Sequence, residues 1–141
     1  MAIRTAQAEW RGALKDGEGR VRTGSGALDT VYSFPSRFES GNGTNPEELI
    51  GAAHAGCFSM ALAHGLASAG HTARRVATTA KVHLDSQGEG FAITRIELDT
   101  EAEVPGIDEE TFRKHAQDAK AGCPVSKALG GTEISLNARL L

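Results

Sequence analysis

The chain has 141 residues, 40% of them apolar and 23% charged, with a formal net charge of −3. That balance belongs to a globular protein, and the length suits one domain spanning residues 1–141 with a real core. A net negative chain whose Arg and Lys are scattered offers no electrostatic basis for binding nucleic acid or an anionic membrane.

The opening stretch MAIRTAQAEWRGAL lacks the continuous apolar core of a secretory signal, which points to a cytoplasmic protein. Ala6, Ala8 and Trp10 alternate with polar residues at the period of a half-buried strand. KDGEGR (15–20) reads as a turn and VRTGSGAL as the approach to a second extended piece. A third extended piece, TVYSFPSRFE, carries Pro35, which belongs at an edge or a strand end because it cannot donate to a ladder. SGNGTN (40–45) then interrupts the chain.

A long helix is expected from there to Gly70. Asn45 is a good N-cap, Pro46 suits the first helical position, and Glu47 and Glu48 favour the positive end of the helix dipole. The body of the helix, LIGAAHAGCFSMALAHGLASAG, is long and free of Lys, Arg, Asp and Glu. It is rich in Ala, Gly, Ser and His rather than Leu and Ile, which fits a soluble helix packed all round better than a membrane span.

RVATTAKVHLD and FAITRIELDTEAEV, separated by SQGEG, read as a β-hairpin with Val76, Thr78, Ala80, Val82 and Leu84 on one face and Ile96, Leu98, Thr100, Ala102 and Val104 on the other strand. Arg95 and the acids of 97–103 form a solvated strand face. Asp108 caps a second helix whose Phe112, Ala116 and Ala119 recur at helical spacing. CPVSKAL reads as a short third helix, and TEISLNARL as a final strand with Ile134, Leu136, Ala138 and Leu140 on one face. Trp10 and Phe112 are core candidates. The order is that of an α+β protein without repeats or linkers.

Cys57 and Cys123 are the only cysteines, and no C-x-x-C is present. A lone cysteine among small residues is more often a compact core residue than a reactive one. Cys123 differs, because Pro124 places it at the N-cap of CPVSKAL, where unpaired N–H groups and the helix dipole lower a thiol's pKa. An attacking and a resolving thiol would look like this, and so would two inert ones.

GTNPEELIGAAHAGCFSMALA, followed by PGID and KAGCPVSKAL, closely resembles the OsmC branch of the OsmC/Ohr family of thiol-dependent peroxidases, together with EWRG, SRFE and GFAIT. The resemblance implies antiparallel sheets around two central helices in an intertwined homodimer, with active sites at the subunit interface. It implies reduction of organic hydroperoxides by a peroxidatic Cys57 and a resolving Cys123, recycled by an external dithiol. It assigns the active-site arginine to Arg37 rather than Arg20, and the glutamate to Glu47.

The chemistry is consistent with those roles. A guanidinium near Cys57 would favour the thiolate and stabilise the departing alkoxide, and a carboxylate would hold it by a bidentate pair. Glu47 would sit in the same place as a solvated first-turn acid. Ten residues of continuous helix put Glu47 ~15 Å from Cys57, so a shared site would take Glu47 from the partner subunit. No metal, haem or flavin is required. Three alternatives stand beside this reading. His54 and Cys57, at i and i+3, have metal-ligand spacing, with Cys123 or His64 as further ligands, though no acidic cluster accompanies them. His54 could act as base in a Cys-His hydrolase. A non-catalytic redox sensor or stress-response binding protein would use the same two cysteines.

Overall fold

Alternation along the first thirty residues builds an antiparallel meander of β1 (Ala6–Arg11), β2 (Glu18–Thr23) and β3 (Asp29–Tyr32). The computed structural model describes Met1–Leu141 throughout, and the chain divides into two compact units, Met1–Leu49 and Ile50–Leu141. In the first unit the turn closes at Gly17, whose N–H bonds Ala13 O at 2.8 Å, so Glu18–Arg20 belong to β2 rather than to the expected turn. Register pairs Gly19 with both Trp10 and Tyr32. A Cβ on Gly19 would lie 2.4 Å from Tyr32 Cε1 and 2.6 Å from Trp10 Cε3, so glycine is what allows the two rings to meet over the strand, 5.3 Å apart. Trp10 is half-buried in this small unit, not part of the main core.

The third extended piece is shorter than its composition suggests. The strand ends at Tyr32, and FPSRF forms a helical turn, α1 (Phe34–Phe38). The reason is local: Ser33 and Ser36 make a reciprocal capping box, and Pro35 falls in the first turn, where its missing N–H costs nothing. Three bonds then fix the following loop. Thr44 N–H donates to Val31 O at 3.0 Å, Ser36 Oγ to Thr44 O at 2.8 Å, and Asn45 Nδ2 to Ser36 O at 3.0 Å. Gly43 has φ +107 with its Cβ position 2.5 Å from Val31 O, so the close approach requires glycine.

The long helix, α2 (Pro46–Ser68), starts as expected: Asn45 Oδ1 accepts from Glu48 N–H at 2.7 Å. By length and composition it could cross a membrane, but Phe58, Leu62 and Leu66 are fully buried in the protein's own core. It is not packed all round within one chain. Its buried edge is Gly51, His54, Phe58, Leu62 and Leu66, whereas Ala52, Ala53, Gly56 and Met60 are exposed, Met60 at 76%. The large apolar side chains that could find core partners recur every four residues, and the small ones between them have little to bury.

The second unit is a mixed sheet in the order β4–β5–β6, from β4 (Arg75–Gln87), β5 (Gly90–Glu103) and β6 (Glu133–Leu140). The β4–β5 hairpin is antiparallel with an irregularity at His83/Leu84, while β6 lies parallel to β5, so this sheet is not wholly antiparallel. A parallel return needs a long crossover. It is supplied by α3 (Glu109–Gly122), capped by Asp108, and α4 (Pro124–Ala128). Ile96, Leu98, Ala102, Phe112 and Ala116 join the α2 residues in one core. Ser59 Oγ bonds Thr78 Oγ1 at 2.7 Å, tying α2 to β4. The strand face expected to be merely solvated is an ion-pair ladder: His83–Glu97, Arg75–Glu101 and Arg139–Asp99 lie within 2.5–3.1 Å. Such exposed pairs contribute little each.

Candidate active site

The second unit brings the two cysteines together. Cys123 is at once the last cap of α3 and the first of α4: its N–H donates to Ala119 O at 3.0 Å, and its sulfur accepts from Ser126 N–H at 3.3 Å. A single extended residue (φ −65, ψ 136) thus ends one helix and begins the next, with Pro124 enforcing the break. Cys123 is 0% exposed, and Cys57 on α2 is half-buried. The two thiols are near neighbours, close enough to shift each other's acidity, and the Val125 amide acts on both.

Their surroundings pull the two thiols apart in acidity. Burial pushes Cys57 up; the Val125 amide opposes this and the neighbouring Cys123 adds to it. Burial also acts to raise Cys123, but bonds from the Ser126 hydroxyl and amide, from Cys57 and from the Val125 amide outweigh it, and its pKa is lowered. Behind Ser126 stands His54. Its Nε2 lies 2.7 Å from Ser126 Oγ, and Ser126 Oγ lies 3.1 Å from Cys123 Sγ. His54 is 0% exposed, and burial lowers its pKa, which favours the neutral ring.

The first unit holds the other two expected residues against each other. Arg37, in α1, meets Glu47, in the first turn of α2, with Nε 3.1 Å from Oε1 and 3.2 Å from Oε2, and Nη2 2.7 Å from Oε1. Glu47 is therefore not a solvated first-turn acid; it is buried and paired. The helical turn after Tyr32 and the Thr44–Asn45 bonds bring the two into register. Arg20, by contrast, pairs with Asp29 at 2.7 Å on the exposed meander.

Arg37 also lines a cavity of about 390 Å³ in this unit, walled by Trp10, Tyr32, Phe34, Phe38 and Leu14. Its guanidinium lies over the Phe38 ring, 5.2 Å from the centroid. An apolar, aromatic hollow with one cation suits an organic molecule bearing a polar end.

Two features of this site escape sequence reasoning. Ser126 carries no chemical motif of its own, and the one signal for it is its place three residues after an N-cap cysteine, where an N–H···S cap forms. His54 has the spacing of a metal ligand to Cys57, but its Nε2 is engaged by Ser126, and nowhere in the chain do three His, Cys, Asp or Glu side chains gather at metal-binding distance.

Residues 39–138 match the family described as OsmC-like protein. The chain is 56% identical to "Peroxiredoxin OsmC" of Escherichia coli (strain K12) over 95% of this chain and 94% of that one. It is 30% identical to "Organic hydroperoxide resistance protein OhrB" of Bacillus subtilis, over 93% of each chain. Among solved structures, an organic hydroperoxide resistance protein OsmC from Legionella pneumophila superposes with a TM-score of 0.75 at 27% identity, covering 99% of both chains. An OsmC-like protein from Mycoplasma pneumoniae, at 14% identity, shares the fold with a TM-score of 0.77 over 99% of this chain and 98% of that one.

Proposed function

This chain belongs to the OsmC-like protein family, and from that premise we propose that it is a cytoplasmic thiol peroxidase that reduces organic hydroperoxides to alcohols. The observation that carries the reading is that Cys57, on α2, and Cys123, at the α3–α4 junction, are near neighbours that act on each other's acidity. Inert core thiols have no need to meet, whereas an attacking and a resolving thiol must.

In the proposed cycle the Cys57 sulfur attacks the terminal peroxide oxygen. The S–O bond forms as the O–O bond breaks, an alcohol departs, and Cys57 is left as a sulfenic acid. Cys123 sulfur then displaces that hydroxyl as water, giving a Cys57–Cys123 disulfide. An external dithiol reduces it by two thiol–disulfide exchanges and becomes a disulfide itself. Arg37 stabilises the charge on the departing alkoxide oxygen, and Glu47 keeps the guanidinium fixed through its paired bonds. The aromatic cavity beside Arg37 receives the organic portion. No bound cofactor enters these steps.

The working unit in this reading is a homodimer. Helix α2 runs unbroken through Pro46–Ser68, so Glu47 and Cys57 stand ~15 Å apart along it, and the Arg37–Glu47 pair serving one Cys57 is supplied by the second subunit. The exposed face of Ala52, Ala53, Gly56 and Met60 is what a close helix approach from a second copy would use.

Intact mass without reductant tests the chemistry, after one equivalent of an alkyl hydroperoxide is added to the parent protein, Cys57→Ser and Cys123→Ser. The expected result is a loss of about two hydrogens in the parent and sulfenic or over-oxidised mass only in Cys123→Ser. An unchanged parent mass would sink the peroxidase reading. Disulfide formation without repeated turnover in excess dithiol would indicate a redox sensor instead.

A further inference from the structure

Beyond its first turn, α2 is tied to the rest of its unit by two side-chain hydrogen bonds, and they bracket Cys57. On the N-terminal side, His54 Nε2 lies 2.7 Å from Oγ of Ser126, in the α4 turn that Cys123 caps. On the C-terminal side, Ser59 Oγ lies 2.7 Å from Thr78 Oγ1 on β4.

The second tie continues into the sheet. Thr78 Oγ1 is 2.9 Å from Oγ1 of Thr100, its register partner on β5, and Thr100 Oγ1 donates to Ala77 O at 3.2 Å. Each hydroxyl has one proton to give. Thr100 gives its proton to the carbonyl, so Thr78 donates to Thr100 and Ser59 donates to Thr78. The line runs one way, every proton in it has an acceptor, and it ends on a residue that is 0% exposed.

A mid-helix serine has a nearer partner in the carbonyl one turn back in its own helix. Ser59 reaches outward instead. The apolar side chains of Phe58, Leu62 and Leu66 bury the helix, but hydrophobic attraction has no direction, whereas a hydrogen bond weakens steeply when misaligned. At about 100° per residue, His54 and Ser59 leave the helix axis about 140° apart. One tie would leave α2 free to turn about it. Two ties at different angles, one to α4 and one to β4, fix its rotation.

We propose that Ser59 is a positioning residue: through Thr78 and Thr100 it fixes the rotation of α2 against the His54–Ser126 bond, and so holds the Cys57 sulfur within reach of Cys123 for disulfide formation. The use of that disulfide in turnover rests on the peroxidase reading above. A disulfide tolerates little misplacement, because its two Cβ atoms must come to about 3.8 Å. Losing the tie frees α2 in the reduced protein and not in the oxidised one, where the S–S bond itself holds the helix. Oxidation then has more motion to freeze and becomes less favourable.

The experiment is equilibration of the protein with glutathione redox buffers, read by intact mass after acid quenching. Two protein thiols and one oxidised glutathione give the protein disulfide and two reduced glutathiones, and the ratio yields the effective concentration of one cysteine at the other. Ser59→Ala is expected to lower it about fivefold, the equivalent of one net hydrogen bond. Alanine is the better helix former, and a substitution that merely weakens the fold destabilises both redox forms alike and leaves the ratio unchanged. Thr78→Val lowers the ratio to the same extent, and Thr78→Ser, which keeps the hydroxyl, holds it at the parent value. The double variant Ser59→Ala/Thr78→Val falls no further than either single one, since both remove one bond. A Ser59→Ala value equal to the parent overturns the proposal, as does an additive fall in the double variant. Should Ser59→Ala fail to fold, equal values for Thr78→Val and Thr78→Ser overturn it instead. Glutathione exchange involves no peroxide, so a protein that shows these shifts but consumes no hydroperoxide retains the positioning and loses the peroxidase function.

Discussion

Glu47 holds Arg37 by three short contacts, 2.7, 3.1 and 3.2 Å, using both carboxylate oxygens against Nε and Nη2. The carboxylate side chain is only 9% exposed and the guanidinium 36%, so the pair is half withdrawn from water and more constrained than a surface ion pair. Glu47→Gln leaves one good acceptor for a fork that needs two. Under the proposed mechanism kcat/KM for an alkyl hydroperoxide should fall roughly 10–100-fold, the usual cost of losing a residue that orients a catalytic group. Arg37→Lys should lose at least as much, since an ammonium cannot reproduce the fork. Steady-state kinetics with a dithiol decides it, and unaltered rates in both variants would remove the pair from the mechanism.

Gly19 sets the shape of the aromatic cavity. Any Cβ there meets Tyr32 at 2.4 Å and Trp10 at 2.6 Å, and both rings wall the hollow beside Arg37. Gly19→Ala must push the rings apart. The expected consequence is a larger loss of kcat/KM for a bulky hydroperoxide such as cumene hydroperoxide than for hydrogen peroxide, measured side by side. Equal losses for both would mean that the cavity does not select the substrate.

The exposed face of α2 gives a prediction whose sign depends on assembly. Gly56 has nothing within 4 Å of its Cβ position inside one chain. Replacing a mid-helix glycine by alanine then stabilises an isolated helix by about 1 kcal/mol. If a second copy approaches that face, the added methyl instead meets its partner. Sedimentation velocity and dilution should show a weakened dimer for Gly56→Ala and a monomer for Gly56→Glu. A parent protein that sediments as a monomer, with a simply more stable Gly56→Ala, would refute the dimeric site.

Much of this architecture was legible because it is written locally. Asn45, Pro46 and Gly70 bracket α2, Asp108 caps α3, and the Ile96–Leu98–Thr100–Ala102 alternation marks the buried face of β5. What stayed hidden depends on partners distant in sequence. The capping box of Ser33 and Ser36 converts an apparent strand end into the turn that carries Arg37, and nothing in TVYSFPSRFE signals that the serines pair. His54 and Ser126 are 72 residues apart, so their bond follows from the α3–α4 break meeting α2 and not from any spacing. The pairing of Arg37 with Glu47 was expected only through resemblance, because an acid in a first helical turn needs no partner.

Phe58 tests how much the core leans on α2. It is 0% exposed, one residue from Cys57, and shares its cluster with the β5 and α3 residues Ile96, Leu98 and Phe112. Phe58→Ala should cost ~3–5 kcal/mol by combining lost burial with a cavity. Urea unfolding followed by circular dichroism measures it. A cost below about 1 kcal/mol would mean that the helix can shift to close the gap, and that Cys57 is held less firmly than its position suggests.

His54 should also shape stability against pH. Burial lowers its pKa in the folded protein, while in the unfolded chain it titrates near ~6.5. Between the folded value and ~6.5 the unfolded chain binds a proton that the native protein refuses, so unfolding free energy rises with pH across that window. The stability is complete above ~6.5 and is lost as pH falls from there toward the folded pKa. Glu97, Glu101 and Asp108 are also held below their ordinary values, first by bonds from His83, from Arg75 and from the Thr111 amide respectively. Their contributions fade only as pH falls below ~4, which separates them from the histidine. His54→Gln cannot titrate, so its urea midpoints between pH 7 and 5 should stay flatter than those of the parent. Parallel declines in the two proteins would show that the native site admits a proton at His54 and that its burial does not keep the ring neutral through that range.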